Sequence, residues 1–260
     1  RDVAVTGVQT CALPILALPP RWRADRVVLS ERRLLDRARV LGDDDGIVVL
    51  VDGDAGLSVV GHGPDGRAAG IVSDLVAAGE LRAPLRWMSL PRATDLPADV
   101  CAALRVDPLP GWDWMSTTTI GDVPGTERVE RLDLAADLPA ILDCLRESNP
   151  TSESDPTNPH EAGWWGVRSG GRLLGVIGAG RRGAAAEDGF SWHLHGLGVR
   201  PEGRRGGLGT ALLVAATAEG LAAGAEWVSL GVWAANEPAL RIYRRLGFRT
   251  DHQGRSYRPR

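Results

Sequence analysis

The chain has 260 residues, 43% of them hydrophobic, with a formal charge of -3 and a pI near 6.0. That is enough apolar material for one large domain or two of ordinary size. It leaves no broad basic field for nucleic acid, and no apolar run is long enough to span a bilayer. Cys11, Cys101 and Cys144 are too few and too scattered for a disulfide framework or a metal knuckle. No metal is therefore expected, and a reducing cytoplasm is the expected compartment.

Residues 1–15 stand apart. The sequence begins without methionine, and 7–15 (GVQTCALPI) resembles a translated sequencing adapter, so this segment is expected to be foreign to the rest of the chain. A signal peptide is the rival reading, but the apolar stretch 11–18 is short, is broken by Pro14 and has no convincing basic leader.

Over 26–41, Val28, Leu34, Leu35, Ala38 and Leu41 recur at roughly helical spacing with Gly42 as a stop, which predicts a helix. Segments 47–51 and 57–60 flank Asp52-Gly53-Asp54-Ala55-Gly56 and predict a hairpin. A helix over 68–78, a strand over 86–90, a helix over 98–104 and a strand over 112–118 come next, making 16–118 a smaller α/β domain. The turn-rich run 116–126 (STTTIGDVPGT) carries the expected boundary, with 121–260 as the second domain.

The second domain opens with a strand over 128–132 and a helix over 136–147. The prolines of 148–160 (SNPTSESDPTNPH), with almost no apolar residues between them, predict an exposed loop. Segments 164–168 and 172–179 predict a hairpin turning at Ser169-Gly170-Gly171, and 191–199 predicts another strand. A glycine-rich turn, a helix over 210–223, a strand over 227–233, a helix over 237–246 and a strand from Phe248 complete the order β-α-β-β-β-α-β-α-β.

Two patterns carry chemistry. The first is Val199-Arg200-Pro201-Glu202-Gly203-Arg204-Arg205-Gly206-Gly207-Leu208-Gly209, between a strand and an apolar helix, with Arg-x-x-Gly-x-Gly at Arg204, Gly207 and Gly209. Glycines admit close approach of a ligand, and free N–H groups backed by a helix dipole suit a pyrophosphate. Alone, such a loop can also be only a tight turn. The second is Asn236, Ala239, Tyr243, Gly247 and Phe248, in Asn-x-x-Ala-x-x-x-Tyr-x-x-x-Gly-Phe. Asn236 and Gly247 read as helix caps, and helical spacing puts Ala239 and Tyr243 on one face. Tyr243 can also be an ordinary core aromatic.

In this order and spacing the two patterns resemble the GNAT superfamily of N-acetyltransferases over about 126–257. The resemblance implies an α+β fold with a mixed, mostly antiparallel central sheet flanked by helices, and acetyl-CoA as acyl donor. It implies that backbone groups from Arg204, Arg205, Gly206, Gly207, Leu208, Gly209 and Thr210 bind the CoA pyrophosphate. The preceding strand, with Leu197 and Val199, would run beside the pantetheine, and the main chain of Val199 would hold the thioester carbonyl. Asn236 and Ala239 are carried over as cofactor-side positions, and Tyr243 as the group that protonates the departing thiolate.

A thioester is already activated, so such an enzyme mainly positions an uncharged amine, stabilises the oxyanion and protonates sulfur. An alkyl amine has a pKa of roughly 10 and must lose a proton first. His193 and His195, two apart on one strand, leave the same face, and His-Leu-His-Gly-Leu-Gly-Val resembles the His-x-His strand of arylalkylamine N-acetyltransferases. Both can instead be bonded into the sheet, and a bulge at Gly196 or Gly198 would disturb the parity.

A lesser feature is Gly61-His62-Gly63-Pro64-Asp65-Gly66, which imitates a dinucleotide fingerprint on a strand expected to lie in a hairpin. Glu202 is a solvated turn residue before it is a base, and Trp164 and Trp165 can line an acceptor pocket, although at least one should face the core because strand residues alternate. The element order of 47–118 resembles the back half of the second domain, which suggests a degenerate tandem half lacking both motifs. The leading expectation is acetyl transfer to a primary amine of a small molecule, amino acid or peptide, by a monomer or homodimer. Longer-chain acyl transfer, or a non-catalytic acyl-CoA sensor, are the alternatives.

Overall fold

The structure is a computed structural model that describes residues 14–53, 56–64 and 66–260. Apart from Pro14 and Ile15, the adapter-like segment lies outside the described residues, as do Asp54 and Ala55 of the hairpin turn and Asp65 of the glycine motif.

Short helices α1 (Pro14–Ala17), α2 (Arg26–Ser30) and α3 (Arg32–Leu35) lead into β1 (Ala38–Asp43), β2 (Gly46–Val51) and β3 (Leu57–His62). Then come α4 (Arg67–Ala77), β4 (Leu85–Pro91), α5 (Ala98–Leu104) and β5 (Val106–Thr117). A two-residue β6 (Glu130–Arg131) precedes α6 (Leu134–Ser148), β7 (Glu161–Ser169), β8 (Arg172–Arg182) and β9 (Ser191–Val199). The chain ends with α7 (Leu208–Ala222), β10 (Val228–Trp233), α8 (Glu237–Arg245) and β11 (Arg249–Pro259).

The described residues form two compact units. One holds the chain up to Trp114 with Val232–Asn236 and Thr250–Arg260, and the other holds Met115–Gly231 and Glu237–Arg249. A single cut at 116–126 does not reproduce this division. The reason lies in β11, whose Gly254–Tyr257 segment pairs antiparallel with Pro91–Met88 of β4 and whose Tyr257 is buried in the core formed with Met88 and Leu104. A fragment starting at Gly121 therefore carries β11 without its partner. Amide exchange of that fragment should show Arg255 and Tyr257 unprotected while Leu194 and Leu230 stay protected; protection at both sites would contradict the pairing.

In the first unit β2 is apolar at successive positions because both its faces are covered. Val48 and Leu50 enter the core with α4 and α5, and Ile47 and Val49 enter the core with Leu18, Trp22 and Val28. Ile15 packs against the latter. The helix expected over 26–41 is divided. Asp25 caps α2 by accepting from the N–H groups of Val27 and Val28, and Ala38–Asp43 pairs with Gly46–Val51 as a hairpin, so ladder pairing prevails over helical spacing. β3 is antiparallel to β2 and parallel to β4. The glycine motif thus does sit in a β-α-β unit, contrary to the hairpin-only expectation.

The second unit has the order β10-β9-β8-β7-β6, antiparallel from β6 to β9 and parallel at β9–β10. Its first strand is shorter than 128–132 because a 3-10 turn occupies Thr126–Arg128. Alternation sends the tandem tryptophans to opposite faces. Trp164 packs with Ile141, Cys144 and Leu145 of α6, and Trp165 donates its indole N–H to Glu219 of α7 at 2.6 Å. Both are buried, as expected of at least one. Among the described residues no helix is long and apolar enough to cross a membrane.

Candidate active site

The glycine loop leaves the end of β9, and its first residue is held rigidly. Arg200, only 1% exposed, donates its Nε to the Leu173 carbonyl at 2.8 Å and Nη2 to Asp143 at 2.6 Å, and its Nη1 pairs with Glu147. This arginine ties α6 to the sheet and is not a free cation for a ligand. Arg204 turns back on the strand, its Nε reaching the Val199 carbonyl at 3.0 Å. Arg205 then adopts φ 64, a left-handed conformation uncommon for a side-chain-bearing residue, and Gly207 has φ 75. Gly207 is the N-cap of α7, and the first helical bond runs from the Ala211 N–H to the Gly207 carbonyl at 3.0 Å. The N–H groups of Leu208, Gly209 and Thr210 thus belong to the helix end that lacks intrahelical acceptors. A Cβ placed on Gly207 would meet nothing within 4 Å. Its glycine is demanded by the backbone, with open space above it.

The first unit provides an internal comparison. Gly66 caps α4 with φ 76 and ψ 0, against φ 75 and ψ 0 at Gly207. There, however, a Cβ would fall 3.0 Å from Thr94 Oγ1 and 3.1 Å from Thr94 Cγ2. Thr94 fills the place that is open at Gly207. Gly61 and Gly63 are similarly explained by packing, against Leu90 and Ala68 and against the Asp45 carbonyl.

β9 pairs with β10 over Trp192–Leu194 but with β8 as far as Val199. Between these lies an irregularity. Gly178 faces His195 and Val176 faces Gly198, so Gly196 and Leu197 oppose the single residue Ile177. Gly196 has φ 63, the conformation of a glycine-led bulge. The Leu197 carbonyl accepts from Asn149 Nδ2 at 3.2 Å, and a Cβ at Gly196 would strike Trp164 and Ser154. Asn149 and Ser154 thus bring the proline-rich loop onto the bulge.

The bulge lies beyond both histidines, so their shared face survives. Trp164, Gly178 and His195 stand in one row across β7, β8 and β9, and Glu161, Gly180 and His193 in the next. A second irregularity between Glu161 and Gly163 brings Glu161 to the same face. A Cβ at Gly178 would fall 2.6 Å from the Trp164 ring and 2.7 Å from His195, so glycine there is what lets the two rings meet, edge to face, with centroids 5.4 Å apart. His193 Nδ1 is 3.0 Å from Ser229 Oγ on β10, and desolvation pushes its pKa down to about 3. It is neutral across the physiological range. His195 Nε2 lies 3.1 Å from Glu161 Oε1. Among the described residues no group of His, Cys, Asp or Glu is placed to hold a metal.

α8 ends as its sequence suggests. Gly247 has φ 94, and the Phe248 N–H bonds the Tyr243 carbonyl at 3.0 Å, closing the helix with the two rings 6.1 Å apart. Burial raises the Tyr243 phenol above its ordinary pKa, so it stays protonated. Because β9 and β10 are parallel and each feeds a helix, α7 and α8 both start at the carboxyl end of the strands, where α/β sheets place ligands. The second unit thus contains Leu197, Val199, the loop Arg204–Thr210, Ala239, Tyr243 and both histidines, whereas Asn236 falls in the first. Glu202 is an exposed partner of Arg172. Sequence reasoning missed Glu161 and Asn149, whose partners are 34 and 48 residues away.

Residues 133–248 match the model of the Acetyltransferase (GNAT) family. The structure is similar to one given as an acetyltransferase from the GNAT family of Novosphingobium aromaticivorans DSM 12444, with TM-score 0.52 and 22% identity over 92% of this chain and 95% of that one. It is also similar to GCN5-related N-acetyltransferases from Sphaerobacter thermophilus (TM-score 0.53, 18% identity, 83% of this chain and 76% of that one) and Kribbella flavida (TM-score 0.52, 18% identity, 92% and 95%). At these identities the likeness is one of fold, the mixed and mostly antiparallel sheet flanked by helices expected from the sequence. No curated protein matches the chain.

Proposed function

Residues 133–248 are a GNAT-family acetyltransferase domain, and on that premise we propose that the protein is an N-acetyltransferase that moves an acetyl group from acetyl-CoA to a primary amine. The observation that carries this reading is the glycine loop, where Gly207 at φ 75 opens α7 with empty space above it. Residues Arg204–Thr210 suit the pyrophosphate through backbone N–H groups and the positive end of α7. The last residues of β9, beyond its register with β10, suit the amide-bearing pantetheine as an added strand would. Bound there, the donor supplies an activated acyl group.

The chain's own residues then have two proton tasks. At the acceptor end an imidazole takes a proton from the amine, and His193, neutral and bonded to Ser229, leaves His195 the better placed. At the donor end the Tyr243 phenol gives its proton to sulfur. Free, buried Cys101 and Cys144 fit a reducing compartment, and the acceptor is proposed to be a small molecule, amino acid or peptide, handled by a monomer or homodimer.

A thiol-release assay tests this with acetyl-CoA and longer acyl-CoAs against alkylamines, amino acids and peptides. Amine-dependent release with acetyl-CoA is the expected result. Release only with longer acyl-CoAs would transfer the activity to that class, and tight acetyl-CoA binding without release for any amine would mark a sensor.

A further inference from the structure

Glu161 opens β7 directly after the proline-rich loop, and its side chain is only 8% exposed. A carboxylate this buried is costly unless it is paired. One oxygen, Oε1, is paired with His195 Nε2 at 3.1 Å, while Oε2 is buried with no partner. His195 Nδ1 and Trp164 Nε1 are likewise buried without partners. Three unmet polar atoms thus gather on the face where Gly178 makes room for the two rings and where Gly180 faces Glu161 and His195 at ordinary contact distance. Buried polar groups are nearly always satisfied, so this cluster is built for something more than packing.

The pairing decides where the histidine proton sits. An ionised carboxylate can only accept, so the ring nitrogen facing it must carry hydrogen, and Nδ1 is left with a lone pair. We propose that Glu161 is the positioning residue for proton removal: it fixes His195 as the Nε2–H tautomer and leaves Nδ1 to take the acceptor's proton. The inference rests on the acetyltransferase reading above and adds a residue and an atom to it. In the step, one N–H bond of an R–NH3+ group breaks, its electron pair stays on nitrogen, and an Nδ1–H bond forms. The imidazolium charge is then set against the Glu161 carboxylate. The neutral amine attacks the acyl carbon, and the imidazolium later releases its proton to solvent. The His195 side chain is 23% exposed while Nδ1 itself is buried, so the proton reaches Nδ1 through a bound water and not by direct contact with the amine. Glu161 from β7 meets this ring, β8 contributes Gly178 and Gly180 beneath it, and Arg182 and His195 both act on His193. Glu161 is the carboxylate that meets the His195 ring, at 3.1 Å from Nε2.

The test uses the full chain labelled with nitrogen-15 histidine. The sequence has five histidines, and His195→Gln assigns the signal of interest. The expected wild-type spectrum shows His195 as the Nε2–H tautomer. Glu161→Gln, whose amide can donate as well as accept, should mix the tautomers. In the thiol-release assay the same variant should lose about 10-fold or more in kcat/KM for an alkylamine. An arylamine, already neutral, should lose less. If Glu161→Gln does not fold, Glu161→Asp carries the comparison, with partial retention of the wild-type tautomer expected. An Nδ1–H tautomer in the wild type, or an unchanged tautomer in a folded Glu161→Gln variant, overturns the inference. Should no amine support thiol release, the acetyltransferase reading fails, and the NMR result still decides the pairing.

Discussion

Tyr243→Phe is expected to lower kcat by roughly 10²-fold or more, the usual scale of general acid catalysis, while leaving acetyl-CoA affinity nearly intact. The change removes one hydroxyl and keeps the ring that packs beside Phe248 and the backbone closure from the Phe248 N–H to the residue-243 carbonyl, so the fold should persist. In the proposed mechanism the affected step is protonation of the departing sulfur. Burial holds the phenol above its ordinary pKa, so in the wild type the acid is loaded across the neutral range, and the deficit of the variant should be nearly constant between about pH 6 and 9. Steady-state kinetics with a calorimetric measure of acetyl-CoA binding checks both halves. Unchanged kcat, with chemistry shown to be rate-limiting by single-turnover measurement, removes the tyrosine from the mechanism.

Gly207→Glu is expected to weaken acetyl-CoA binding by about 10²-fold or more, since like charges brought together in a binding site cost several kcal/mol. Two effects combine. A side chain at φ 75 is strained by roughly 1–2 kcal/mol, and a carboxylate occupies the open space above the helix N-terminus where a pyrophosphate would sit. Gly207→Ala separates them: it carries the backbone strain without the charge, and should show a clearly smaller loss. Titration calorimetry on both variants, with circular dichroism to establish folding, makes the comparison. If folded Gly207→Glu binds as the wild type does, the glycine loop is not the donor site. A parallel change at Gly66 should leave donor binding alone, because Thr94 already fills the equivalent space.

The sequence by itself determined the parts of the protein that obey local rules. The glycine loop between strand and helix, the Asn-to-Phe motif with its capping glycine, and the shared face of His193 and His195 were all legible, because turn chemistry and strand and helix periods act over a few residues. The order of elements from α6 to α8 came from the same periods. Only the tertiary structure decided the rest. Ala38–Asp43 left helical spacing for a hairpin because its partner strand offers a ladder, and β11 joined the first unit because β4 pairs with it. Most of the chemistry that distinguishes this site was also nonlocal. The surroundings of the two histidines diverge because one meets Ser229 and loses solvent while the other meets Glu161, and neither partner lies near them in sequence. The bulge at Gly196, with Asn149 on the Leu197 carbonyl, depends on the register of β8 with β9 and on the end of α6. Spacing specifies which face a side chain leaves; register and packing decide what it finds there.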